Sequence, residues 1–598
     1  MGVTSHTIQK LVLRDHASSQ WLLFGSPLHV LIAHCHADVL PTLVELERRA
    51  CEEQLYAAGY ISYEAATGFD ESLATRPQGH LPLLCFGLFS EPERASHLPA
   101  PLPAAQSLSR WTMTTARTSY LDRIQDIKRQ IELGNCYQVN FTIRQHADGM
   151  RDPWSFFHHA ACNAPYAAYV EFDDFALVSA SPELLFQLDS EDLLCRPMKG
   201  TTERGLTLVE DRVQRHELQR STKDRAENVM VTDMLRNDMG RVAVPGSVKV
   251  TSLFETEKYP TLWQMTSSIT AKTNATITEI LRALFPCASV TGAPKVSSMA
   301  IIAELEDSPR EAYAGTIGYF GPKRQAQFNV AIRTAWVDRK TNRATYGTGG
   351  GIVWDSVAED EYRECLTKTK VLAGTVEDDD FELLETMRWT AEEGYFLLEH
   401  HLSRLSDSAD YFDFELDRAA IETRLANLGR RLGPAGYRIR LLLQRNGVFR
   451  LTETPLPNNS HELPQRVRLA AEPVSATNPF LYHKTTRRST YVQARKSVND
   501  CDDVLLWNRD GYITETSIAN VVVRIDEELF TPPVQCGLLA GTYRQWLLQQ
   551  RLIRERNIHR DELSADQTIL LINSVRGWYD GQLCDDLLPE MADNSCAR

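Results

Sequence analysis

A chain of 598 residues is too long for one hydrophobic core, so at least two domains follow. With 43% hydrophobic and 24% charged residues it has ordinary globular composition, which excludes a disordered or fibrous protein. The formal charge of -15 argues against nucleic acid or an anionic membrane surface as the main partner, but leaves room for a small anionic ligand that needs only two or three donors in one pocket.

The opening segment, "MGVTSHTIQKLVLRD", carries no apolar signal core, and His6 stands where a myristoylation motif wants Ser or Thr. No run of about 18 apolar residues follows. The 12 cysteines are scattered without a C-x-x-C pair or zinc-ligand spacing, so they read as reduced thiols. These features predict a soluble cytoplasmic protein. Residues 91–108 read as a proline-rich loop. After it, Ile124, Ile127 and Ile131 share one face of a predicted helix, with Gly134 suited to its C-cap.

Lys199 lies in "RPMKGTTERG". Taken alone, a lysine at such a strand end is most simply a hydrated surface charge. Further on, "TKDRAENVMVTDMLRND" reads as a helix with Asp224 and Glu227 one turn apart, and "DSVAEDEYRECLTKTK" as another with Glu361 and Glu364 at the same spacing. Each is most simply a solvated acidic face. If the two faces met in a pocket they would repel unless a divalent cation lay between them, and magnesium suits oxygen ligands with positions left open for substrate. The glycine run 349–351 in "YGTGGGIVWDS" lacks the G-K-[ST] ending of a phosphate loop. It reads either as a hairpin turn or as backbone N–H groups brought close to a carboxylate. Arg333 of "FNVAIRTA" offers a planar fork for a second carboxylate. Together these elements describe a site for a dicarboxylate with magnesium.

A composition break at "LAGTVEDDDFELLETMR" places the main boundary near residue 376. Beyond it, Lys484 lies in "FLYHKTTRRSTYVQAR", and "DGYITETSIANVVV" puts Glu515 and Asn520 before a β-branched strand. In "PPVQCGLLAGTYRQWLL", Gly541 and Thr542 stand at a predicted helix start, which suits a phosphate. Arg404 of "HHLSRLSDSA" is a second phosphate candidate or a plain helix charge. A lysine for an imine, a carboxylate for a pyridinium nitrogen and a phosphate cup are the parts that pyridoxal phosphate needs.

The segments "SASPELLF", "RPMKGT", "AENVMVTDMLRNDMGRV", "SVTGAPK", "FNVAIRT" and "GTGGGIVWDSVAEDEYRE" occur in the order found in chorismate-utilising enzymes, and the first half resembles that family over most of residues 50–372. The resemblance implies chorismate as substrate with magnesium. By match of position, Glu227 and Glu364 would hold the metal, with Glu361 and the catalytic Glu183 in support. Tyr313, Arg333, Gly350, Gly351, Thr291 and Lys295 would meet the substrate. Members that add water carry a lysine at the position of Gln138, and glutamine cannot deprotonate water. Members that make 4-amino-4-deoxychorismate carry "P-I/M-K-G-T", which makes Lys199 a nucleophile in this reading. One departure is Gln264 in "YPTLWQMTSSI", where many relatives have a histidine associated with acid or base work. No glutaminase nucleophile motif surrounds any cysteine, so ammonia is expected from a separate glutamine amidotransferase or from solution.

Residues 381–580 resemble the fold-type IV pyridoxal-phosphate enzymes, in particular the aminodeoxychorismate lyase branch. The resemblance implies Lys484 as the residue bonded to the cofactor and Glu515 at the ring nitrogen. It further implies Arg404, Thr542, Asn520 and Ser574 around the remaining cofactor groups. The expected fold is α+β: a two-sheet chorismate-binding α/β sandwich over residues 1–375 (N-terminal region 1–108, catalytic core 109–375), then a fold-type IV domain over 376–598. The expected function is amination of chorismate followed by pyruvate elimination to 4-aminobenzoate for folate, with a homodimer through the second domain as a further expectation. The alternative is an anthranilate synthase component fused to a fold-type IV aminotransferase.

Overall fold

The computed structural model describes residues 7–99, 101, 110–259, 261–369, 381–457, 463–496, 498, 501–564 and 568–584. Residues 102–108 of the proline-rich loop and the boundary expected near 376 lie outside them. The chain forms two compact units, Met1–Glu203 with Arg215–Glu377, and Arg204–Gln214 with Asp378–Arg598.

Among the described residues the first unit holds two ten-stranded sheets, antiparallel throughout. The N-terminal region supplies strands to both. Ile8–Asp15 pairs with Gln20–Phe24 and Ala168–Phe172 in one sheet, while Tyr56–Ile61 lies between Leu84–Phe89 and Thr316–Gly321 in the other. Buried aromatic residues fill the core, and Tyr60 meets Phe172 and Phe175 edge-on at 5.9 and 6.1 Å. Gly59 is required here because a Cβ would stand 2.1 Å from the Cys85 carbonyl.

Four strands and two helices position the site of this unit. From the first sheet come Gln138–Asp148 and Arg343–Ile352, paired from Val139↔Ile352 to Asp148↔Arg343. From the second come Met198–Glu203 and Leu262–Lys272. Helices Thr222–Gly240 and Ala358–Lys368 close it. Ser221 caps the former by accepting the Asp224 amide at 3.2 Å, and the latter begins with Glu359, Asp360 and Glu361, where the helix dipole favours acid. The glycine run is a strand rather than a hairpin turn. Its lack of side chains serves close approach: a Cβ on Gly347 would fall 2.3 Å from the Tyr313 ring, and one on Gly349 2.2 Å from the Phe141 carbonyl. The predicted helix before it spans Arg117–Glu132, with Ile124 and Ile127 buried and Gly134 at φ 75° beyond its end.

Among its described residues the second unit has a four-stranded antiparallel sheet centred on Leu383–Thr390 and Tyr437–Leu443. Its eight-stranded sheet is mixed, with Gln465–Leu469 parallel to both Asp503–Trp507 and Gly577–Leu583. Segment 204–214 is part of this unit, which local sequence pattern does not foretell. Arg204 forms a buried pair with Asp211, Tyr411 donates to the Gly205 carbonyl at 2.8 Å, and Leu206 packs on the cluster of Leu481 and Tyr482. No helix among the described residues is long and apolar enough to cross a membrane.

Candidate active sites

In the first unit, Glu183, Lys199, Glu227, Arg333, Glu361, Glu364 and Tyr313 line one pocket between the two sheets, together with Gly347, Gly349 and Gly351. Strand pairing places Lys199. Opposite Met265, two residues of the partner strand, Lys199 and Gly200, take the place of one, because Met198 faces Thr266 and Thr201 faces Gln264. This β-bulge turns the Lys199 side chain toward the first sheet. A Cβ on Gly351 would lie 3.2 Å from its Nζ and 2.2 Å from Gln138 Nε2, so glycine at 351 leaves the room that the amine occupies.

The surrounding carboxylates are unequal. Burial pushes Glu183 up to about 7, against the opposing effects of Ser289 and Lys199, and its Oε1 has no hydrogen-bond partner. Burial also raises Glu227, opposed by Lys199 and Lys223. Glu361 is raised by burial and by the Glu364 charge, although Ser356 donates to it at 2.8 Å. Glu364 is lowered instead, because Lys368 pairs with it at 2.7 Å. Lys368 also donates to the Gly349 carbonyl at 2.7 Å. Burial, the largest effect, opposes its charge, but Glu364, Cys365 and Tyr313 together raise it. Arg333, at φ 50°, is lowered by burial.

No three His, Cys, Asp or Glu side chains among the described residues converge as a ready metal cage. A magnesium ion does not require one, since one or two carboxylates completed by substrate oxygens and water satisfy it. The mutual repulsion of Glu227 and Glu364 is consistent with such a two-carboxylate site. Two expected substrate residues stand elsewhere. The Thr291 hydroxyl is engaged by the Cys287 and Ala288 carbonyls at 3.2 and 3.4 Å, and Lys295 pairs with Asp238 at 3.0 Å. Neither lines the pocket. Gly350 lies between two lining glycines, and a Cβ on it would meet Glu361 Oε2 at 3.0 Å.

In the second unit, Lys484, Glu515, Arg404, Thr542, Asn520 and Ser574 line one pocket. Burial, then Arg404, pushes the Lys484 amine down to about 8. Burial pushes Glu515 up to about 7. It accepts from the Tyr491 hydroxyl at 2.7 Å, the Leu539 amide at 3.1 Å and the Asn520 amide at 3.2 Å. Arg404 donates to both oxygens of Glu385, at 2.8 and 2.7 Å, and to the Ala540 carbonyl at 3.1 Å. Helix Thr542–Gln549 begins at the pocket with Gly541 as its N-cap. There a Cβ would collide with Asn520 Oδ1 at 1.9 Å, leaving a backbone cradle open to an anion. A buried amine near neutrality, a buried carboxylate and a free helix N-terminus fit pyridoxal phosphate. Ser574 donates to the Thr386 carbonyl at 3.4 Å.

Sequence reading missed Lys368, although its spacing of four from Glu364 was a legible ion-pair signal. It also missed Glu385 and Tyr491, buried partners of Arg404 and Glu515 that carry no local motif.

Comparison with known proteins gives the following matches. The family model for chorismate binding enzymes matches residues 10–374, and that for class IV amino-transferases matches residues 382–582. Aminodeoxychorismate synthase component 1 of Salmonella typhimurium is 40% identical over 274 residues, covering 45% of this chain and 60% of that protein. The chloroplastic aminodeoxychorismate synthase of Arabidopsis thaliana is 38% identical over 283 residues, 46% of this chain and 31% of that one. The chain thus spans three fifths or less of the length of these relatives. The solved anthranilate synthase component I of Streptococcus pneumoniae superimposes with a TM-score of 0.51 at 21% identity, over 62% of this chain and 93% of that one, a likeness of fold.

Proposed function

Because this chain belongs to the chorismate binding enzyme family and its second unit is a class IV aminotransferase domain, we propose that it is a bifunctional enzyme making 4-aminobenzoate from chorismate. The first unit would aminate chorismate to 4-amino-4-deoxychorismate, and the second would eliminate pyruvate from that product. The observation that carries the reading is the Lys199 amine on its bulge, beside Gly351 and Gln138 and facing the carboxylates. The names of the relatives support the amination step.

In the first site, Arg333, Tyr313 and the amides of the glycine strand would hold the two substrate carboxylates, with Lys368 adding a cation. Magnesium, held by Glu227 and Glu364, would supply Lewis-acid polarisation of a carboxylate. The Lys199 nitrogen bonds to ring C2, the double bond shifts, and the C4 hydroxyl leaves as water. Glu183 suits proton delivery to that hydroxyl, since burial pushes its carboxyl up to about 7. Ammonia then bonds to C4, the double bond returns, and the C2–N bond to Lys199 breaks. The net change is chorismate plus ammonia to aminodeoxychorismate plus water. Ammonia would come from a glutamine amidotransferase partner, a reading supported by the "component 1" in the names of the bacterial relatives.

In the second site, pyridoxal phosphate supplies an electron sink when bound. Lys484 would hold it covalently and then move the substrate C4 proton, while Glu515 would meet the ring nitrogen. Arg404, Thr542, Asn520 and Ser574 would order the phosphate side. Incubation with chorismate, magnesium, ammonium and pyridoxal phosphate tests the proposal. The expected product is 4-aminobenzoate, and anthranilate would refute it in favour of the anthranilate synthase alternative.

A further inference from the structure

Gln264 has no part in the chemistry above, yet it lines the first pocket and is 4% exposed. A bulge takes backbone groups out of the strand ladder, and here the carbonyls of both bulged residues are met by side-chain amides. Gln264 Nε2 donates to the Gly200 carbonyl at 2.7 Å, and Asn228 Nδ2 donates to the Lys199 carbonyl at 3.3 Å. The other end of each carboxamide is also engaged. Gln264 Oε1 accepts from the Thr201 hydroxyl at 2.9 Å, and Asn228 Oδ1 accepts from Ser267 at 2.5 Å. Gly200 sits at φ 93°, and a Cβ there would lie 2.9 Å from Asp224 Cβ.

We propose that Gln264 is a positioning residue: with Asn228 it clamps the two peptide units that flank the Gly200 Cα, Lys199–Gly200 and Gly200–Thr201, and so fixes where the Lys199 amine stands against Gly351. A carboxamide holds no titratable proton at neutral pH, so Gln264 acts through hydrogen bonds and not as an acid or base. Glutamine suits the task because one side chain presents a donor to a carbonyl and an acceptor to a hydroxyl on adjacent residues of the same strand. This inference rests on the reading of Lys199 as nucleophile and deepens it.

The test compares Gln264→Ala, Gln264→Glu, Thr201→Val and Thr201→Ser with the wild type in the full-length enzyme. Chorismate amination is followed by kcat and KM, with the melting temperature and the second unit's turnover of supplied aminodeoxychorismate as controls. Gln264→Glu keeps the acceptor but loses the donor to Gly200, so both Gln264 variants should lose at least about tenfold in kcat. KM should change less than about twofold and the second activity should be unchanged. Thr201→Val should lower kcat, and Thr201→Ser should restore it. If Gln264→Ala does not fold, the Thr201 pair decides by itself. Wild-type kcat in the Gln264 variants, or a rise in KM with kcat unchanged, overturns the clamp. Lys199→Ala run in parallel separates the two readings: if it keeps wild-type kcat, the nucleophile reading fails and the clamp with it. If it is inactive while the Gln264 variants are unaffected, only the clamp fails.

Discussion

In the proposed reactions two lysines carry the chemistry, and their surroundings differ. Lys484 lines its pocket, where burial, then Arg404, brings its amine down to about 8. Because the folded value lies below the unfolded one near 10.5, the unfolded chain holds a proton between these values that the folded chain lacks. Stability of the cofactor-free protein therefore rises with pH from about 8 to 10.5, by up to roughly 3 kcal/mol from this group. The direct check is the pH dependence of Lys484 acylation, followed by peptide mass in cofactor-free protein. An inflection near 8 is expected, and one near 10.5 would contradict the burial argument. Such a value also lets a fraction of the amine be neutral at physiological pH, as attack on a cofactor carbonyl requires. Lys199 is served by geometry instead, through the bulge and the space left by Gly351.

At the scale of elements, the strand Arg343–Ile352 does more than complete a sheet. Its glycines let Tyr313, Phe141, Gln138 and Lys199 approach closely. Gly351→Ala would place a methyl 2.2 Å from Gln138 Nε2 and 3.2 Å from Lys199 Nζ, and either neighbour must then move. Displacing a nucleophile by about an ångström costs on the order of 100-fold, so chorismate amination should fall at least about tenfold while the second unit keeps its activity. Wild-type amination in this variant would show that the amine does not work where it stands. Helices 222–240 and 358–368 were legible, because spaced carboxylates and apolar positions write helical periodicity directly into the sequence. The strand character of the glycine run was not legible, since residues without side chains show no alternation and their reason for being glycine lies in partners up to about 200 positions away. Gln264 was legible only as a departure from a family pattern, because its meaning depends on a bulge that arises in strand pairing.

At the scale of the molecule, each unit contains its own pocket-lining lysine and its own buried carboxylate pushed up to about 7. The order of large segments was readable from composition and from motifs. The assignment of 204–214 to the second unit was not, because a short polar helix start does not announce which surface its few apolar residues will cover. Two self-contained sites imply that the reactions can be separated by single substitutions and rejoined by mixing. The most direct measurement is product analysis of Lys199→Ala and Lys484→Ala, alone and together, with chorismate, magnesium, ammonium and pyridoxal phosphate. Lys199→Ala should leave chorismate unconsumed, Lys484→Ala should accumulate aminodeoxychorismate, and the mixture should form 4-aminobenzoate. Formation of 4-aminobenzoate at the wild-type rate by either variant alone would contradict the account.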